Sequence, residues 1–150
     1  MRILILGGTI FLGRHVTQAA LARGHEVVHF NRGQHGKDLY PELERIRGDR
    51  DGGLDALGDR TFDAVIDTSG YVPRVVGDSA KFLADRTNHY LFVSSLSVYP
   101  DMTTVGQDES APVAILDDET VEARRGGQSM RIDRGPLVEA KSGAHHVNGS

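Results

Sequence analysis

The strongest constraint on this chain lies in its first line. Residues 3–13 read Ile-Leu-Ile-Leu-Gly-Gly-Thr-Ile-Phe-Leu-Gly, and a helix-like pattern follows them. A short β-branched run stopped by glycine is a buried strand. From Leu12 on, Leu12, Val16, Ala19 and Ala20 recur at helical spacing, and Gly24 supplies the stop. Strand, glycine turn and helix start together make a phosphate cradle, because a helix N-terminus offers unpaired N–H groups and positive partial charge. Gly7, Gly8, Thr9, Ile10, Phe11, Leu12 and Gly13 are therefore expected to hold a dinucleotide. A strict three-glycine fingerprint would place its middle glycine at Ile10, whose side chain must point away from the pyrophosphate.

The rest of the chain alternates in the same way. Strands are expected over residues 26–30, 44–47, 62–66 and 89–93, with a helix over 72–84 whose stripe is Val72, Val75, Val76, Ala80 and Leu83. Residues 54–57 read as one or two helical turns, and Pro41 as a possible opening of a short helix. Strands alternating with helices imply right-handed crossovers and a doubly wound parallel α/β sheet, here of order 3-2-1-4-5. The expected division is a dinucleotide-binding domain at 1–120 and an irregular tail at 121–150. A short helix is conceivable at 117–125. From Arg124 onward five Lys or Arg face two Asp or Glu, and no apolar period persists.

Composition narrows the function. A net charge of −4 argues against a nucleic-acid partner. No cysteine is present, which excludes thiolate metal sites and a cysteine nucleophile. The seven histidines are scattered and form no helical ligand pair, so no metal site is expected. The first apolar run is too short for a signal peptide or a span, and a cytoplasmic location without membrane contact is the expectation.

Further candidates sit at strand ends. NAD binders usually carry a carboxylate after the second strand to hold the ribose hydroxyls. This chain has Asn31 and Arg32 there. Asn31 removes a charge that would repel a 2′-phosphate, and Arg32 is able to grip that phosphate and stack on adenine. NADP is thus expected over NAD, the alternative being a solvated turn arginine. Asp49, followed by Arg50, is placed to accept from the adenine amine or is an ordinary turn residue. Thr68, Ser69 and Gly70 leave room at the carboxyl-end crevice or simply turn the chain. Ser94 and Ser95 end the fifth strand with hydroxyls.

In this order the motifs resemble the N-terminal half of an extended short-chain dehydrogenase/reductase of the epimerase/dehydratase family. The Gly-Gly-Thr-x-Phe-Leu-Gly turn, Asn31-Arg32, Gly48-Asp49, residues 67–70 and residues 94–99 carry the likeness over about residues 1–120. The resemblance implies hydride exchange with the alcohol or carbonyl of a nucleotide sugar or similar small molecule. It assigns the catalytic hydroxyl to Ser95, four residues before Tyr99. It also calls for a Tyr-x-x-x-Lys pair, in which lysine lowers the pKa of the tyrosine acid/base. The four tyrosines, Tyr40, Tyr71, Tyr90 and Tyr99, are followed four places later by Glu44, Val75, Ser94 and Thr103. Where such relatives carry Tyr-Gly-Pro-Leu-Lys, this chain has Arg134-Gly135-Pro136-Leu137-Val138.

The expectation is a cofactor-binding part that does not turn over substrate alone, as in a truncated or frame-shifted relative. Two alternatives stay open. One is a non-enzymatic cofactor sensor that recruits a partner. The other is an RNA-binding relative, against which the acidic charge counts. An apolar stripe on the 72–84 helix without its usual cover would favour a homo-oligomer.

Overall fold

The computed structural model describes residues 1–36, 38–101 and 103–114, and the backbone of 121–123 and 129–131. Five parallel strands form the sheet: β1 Arg2–Leu6, β2 Glu26–Asn31, β3 Glu44–Arg47, β4 Phe62–Asp67 and β5 Thr87–Phe92, in the order β3-β2-β1-β4-β5. This is the doubly wound order expected, with its switch point between β1 and β4. Residues 3–6 of β1 are buried on both faces, which is why the strand reads as an unbroken apolar run.

Helix α1, Phe11–Ala22, packs on one face against Ile3, Ile5 and Val27 through Ala20 and Val16. It ends as Gly24 predicts. Gly24 takes φ +74°, its N–H donates to the Leu21 carbonyl, and His25 N–H reaches Ala20, a Schellman closure. Helix α2, Pro73–Leu83, starts on a proline whose missing N–H costs nothing there. It covers the other face with Val75, Ser79 and Leu83, four residues apart. A 3-10 turn at Leu54–Leu57 seats Leu54 and Leu57 in the same core as Leu4, Leu6, Val28, Phe30 and Val65.

Two expectations are corrected and one is narrowed. Pro41 opens no helix: residues 41–43 turn directly into β3, and Tyr40 before them sits at φ +55°. Residues 54–57 form a single helical turn, the shorter of the two readings, and it is of the 3-10 kind. Within 117–125, Val121–Ala123 is a strand (β6) and not a helix, paired antiparallel with Ser129–Arg131 (β7). The remaining calls on the tail, Arg134 and Val138 among them, lie outside the described residues. The stripe of α2 divides in two, with Val75 and Leu83 buried while Val72, Val76 and Ala80 are half-covered. Larger apolar exposure falls on the β5 edge, where Leu91 is 58% exposed, and on the turn after it, where Leu96 is 70% exposed.

Candidate functional site

The carboxyl ends of β1, β2 and β4 open on a cleft of about 650 Å³, lined by residues 6–13, 30–35, 48–51 and by Thr68, Ser69, Tyr71, Val72 and Val75. That volume lies within the range of small-ligand and cofactor sites. The floor is the turn from β1 into α1. Gly7 and Gly8 take φ +107° and +86°, conformations that L side chains rarely adopt. At Gly13 the constraint is space, since a Cβ there would stand 2.8 Å from both Cα and N of Gly8. The helix thus lies directly on the turn. Ile10 is the N-cap of α1, with no side chain capping the helix start. Of the first-turn N–H groups, that of Gly13 donates to the Ile10 carbonyl at 2.9 Å, and none has a side-chain partner among the described residues, which suits an anion site. Ile10 is itself exposed, and Phe11 enters the helix at φ +29°, strained for an L-residue.

Below the turn lies His29, which is fully buried. A Cβ on Gly8 would come within 2.6 Å of its Nε2, so the imidazole is the bed on which the cradle rests. Thr17 Oγ1 donates to the Gly13 carbonyl at 2.7 Å and lies 2.9 Å from His29 Nε2. With that hydroxyl proton committed, Nε2–H donates to Thr17, and buried Nδ1 is left as an unpartnered acceptor. Burial, reinforced by the charge of Arg45, pushes the imidazole down to about 4, so it is neutral at physiological pH. A lone histidine inside the apolar run Val-Val-His-Phe was the one signal of this group in the sequence.

At the end of β2, Asn31 braces the turn: Nδ2 donates to the Gly7 carbonyl at 2.9 Å, and Oδ1 accepts Gly33 N–H at 2.9 Å. Arg32 is exposed on the cleft rim and makes no ion pair or side-chain hydrogen bond among the described residues. Across the cleft, Asp49 is exposed and accepts Asp51 N–H at 3.1 Å. Thr68 and Ser69 line the cleft, and both hydroxyls donate to the Leu6 carbonyl, at 3.0 and 3.1 Å. They tie the end of β1 to the end of β4 and so fix where the glycine turn begins.

Arg50 also lines the cleft, yet its guanidinium is engaged beneath it. It holds buried Asp67 through two bonds of 2.7 and 2.6 Å and reaches Ser79 Oγ at 2.9 Å. Tyr90 OH donates to the same carboxylate at 2.9 Å. Burial and the Asp67 carboxylate push the Tyr90 phenol up, so it stays a donor. The network joins the β3 loop, β4, α2 and β5, and anchors the loop that carries Asp49.

The remaining candidates stand apart. Gly70 is not among the cleft-lining residues; a Cβ there would meet the Phe92 ring at 2.4 Å, so close packing explains the glycine. Ser94 and Ser95 do not line the cleft either. Ser95 Oγ accepts Ser97 N–H at 3.1 Å and caps the 3-10 turn Leu96–Val98. No group of three His, Cys, Asp or Glu able to hold a metal occurs among the described residues. No helix there is long and apolar enough to cross a membrane.

Comparison with known proteins agrees with this geometry. Among solved structures the fold is similar to a UDP-galactose 4-epimerase, with TM-score 0.60 and 21% identity over 76% of this chain and 45% of the other. It is similar to the Bordetella bronchiseptica enzyme WbmG, solved with NAD and UDP, with TM-score 0.64 and 21% identity over 77% and 44%. A nucleoside-diphosphate-sugar epimerase from Pseudomonas aeruginosa shares 30% identity at TM-score 0.52 over 67% and 35%. The chain thus spans less than half the length of these structures. No match was found among curated proteins. The family described as NAD dependent epimerase/dehydratase matches residues 3–118. With its strand order, glycine cradle and crevice at the switch point, the chain belongs to the NAD dependent epimerase/dehydratase family.

Proposed function

We propose that residues 3–118 are the cofactor-holding part of an NADP(H)-dependent epimerase, dehydratase or reductase, cytoplasmic, that acts on a nucleotide sugar or another small alcohol or carbonyl. One observation carries the reading. The uncapped start of α1 lies over the Gly7-Gly8 turn at a cleft whose β2 rim offers Asn31 and Arg32, the latter without an ion pair among the described residues, where a carboxylate would hold a ribose diol. The pyrophosphate would sit on the first-turn N–H groups. Asp49 would accept from the adenine amine, and Arg32 would meet a 2′-phosphate. The nucleotide-bound enzymes among the structural neighbours support the ligand class. When bound, the nicotinamide would supply hydride acceptance and donation. Ser95 would orient the substrate oxygen once its hydroxyl turns from Ser97. No tyrosine of this sequence has a lysine four places on. The chain as it stands is therefore a binder that does not turn over substrate.

The test is calorimetric titration with NADP⁺ and NAD⁺ side by side. Tighter NADP⁺ binding that is weakened by Arg32→Ala is the expected result. Equal affinities would refute the preference for NADP, and binding of neither would refute the site. Cofactor oxidation by the purified chain, lost in Ser95→Ala, would refute its catalytic silence.

A further inference from the structure

Arg47 closes β3 directly beside Asn31, its register partner in β2. Its side chain is exposed, and Nε donates to the Arg32 carbonyl at 3.1 Å. A Cβ on Gly33 would stand 3.1 Å from that Nε and 3.4 Å from Cδ and Cζ. The Arg47 side chain therefore packs closely against the 31–33 turn. Gly33 takes φ +69°, which selects glycine at the residue that receives Arg47.

Two cations consequently share one short turn at the cleft rim, and neither has a carboxylate among the described residues. The ion pairs found there belong to Arg2, Arg50, Arg60 and Arg74. Nearby acids are engaged: Asp51 with Arg74 at 2.9 Å, and Asp49 with the Asp51 N–H. Asn31, on the same turn, is neutral, and its amide is bonded to Gly7 and Gly33. Two arginines on one turn, with no carboxylate partner among the described residues, form a local positive potential that a dianion would neutralise. Arg47 does not line the cleft itself and meets the rim at the Arg32 carbonyl.

We infer that Arg47 is a second specificity-determining residue, which holds a ribose phosphomonoester jointly with Arg32. The inference rests on the NADP reading above and extends it from one arginine to a pair. Arg47 pins the Arg32 backbone through its Nε bond, and the outer N–H groups of its guanidinium, which make no hydrogen bond among the described residues, are left for phosphate oxygens. Phosphate geometry favours such a two-fork arrangement over a single point charge.

The test titrates 2′,5′-ADP and 5′-AMP into the full chain and into Arg47→Gln and Arg47→Lys, at low and moderate salt. Glutamine keeps a donor for the Arg32 carbonyl but carries no charge. Arg47→Gln is expected to weaken 2′,5′-ADP about tenfold, the fold-change of one charge-assisted hydrogen bond, and to leave 5′-AMP within about twofold. Its 2′,5′-ADP affinity should also become less salt-dependent, and Arg47→Lys should fall between. An unchanged ratio in Arg47→Gln would overturn the inference and leave Arg47 a pin for the turn. A parallel loss of both ligands would overturn it too, as collapse of the rim. A wild-type chain with no preference for 2′,5′-ADP would refute the NADP reading itself, and is read before any variant is made.

Discussion

Acidification should loosen the cradle through His29. In the unfolded chain this imidazole takes a proton near 6.5, whereas in the fold it takes one only near 4. A base whose folded pKa is depressed leaves stability intact above the unfolded value. Stability then falls as pH drops from 6.5 toward 4, because only the unfolded chain binds the proton. About 2.5 pH units at 1.36 kcal/mol each give a loss of about 3 kcal/mol once pH 4 is reached. That is a large share of the stability of a domain this size, about 5–15 kcal/mol. The structural cause is specific. A proton added at Nδ1 would place an imidazolium in a buried pocket beside Arg45, with Gly8 packed on the ring. The assay is urea unfolding from about pH 7 to about pH 4.5, for wild type and for His29→Gln, which retains a donor toward Thr17. Carboxylates titrate in both proteins, so the difference in slope isolates residue 29. The variant is expected to be less stable near pH 7 but flatter with pH. Identical slopes would refute the argument.

Gly77 lies mid-helix in α2 with an ordinary φ and nothing within 4 Å of a built Cβ, so Gly77→Ala should raise stability by about 0.5–1 kcal/mol in thermal melts. Gly13→Ala meets the Gly8 backbone at 2.8 Å; it should cost about 1–3 kcal/mol and abolish dinucleotide binding in the same preparation. Asp67→Asn strands the Arg50 cation over the core and should cost about 3–5 kcal/mol in denaturant titration. Tyr90→Phe removes one of several donors to Asp67 and should cost only about 1 kcal/mol. Sedimentation should report concentration-dependent self-association through the apolar β5 edge, reduced by Leu91→Lys, and a strictly monomeric wild type would contradict it.

The cradle was legible because each of its parts is local. A strand, two glycines at positive φ and a helix start occupy adjacent residues, and their chemistry does not wait for the fold. Sheet order was legible from the alternation of elements, since crossover handedness leaves few topologies. The Arg50–Asp67–Ser79–Tyr90 network was not legible, because four elements must first meet before any of its bonds exists. Arg50 therefore reads from sequence as a cleft residue, when most of its donors point inward. Thr68 and Ser69 were found as cleft residues, but their bonds to Leu6 are a consequence of β1–β4 register. Pro41 misleads for the opposite reason: its local helix signal is overridden by Glu44–Arg47, which must extend to pair with β2. Arg47 reads from sequence only as the last residue of the 44–47 strand, because the β2–β3 pairing is what brings it to the 31–33 turn.

The central claim is that the glycine turn and the start of α1 hold a dinucleotide. Amide NMR of the full chain during NADP⁺ titration tests it most directly. The account predicts the largest shifts at residues 7–13, with Arg32, Gly33 and Asp49 following at the same ligand concentration. Shifts confined to another surface, or none at saturating cofactor, would contradict it.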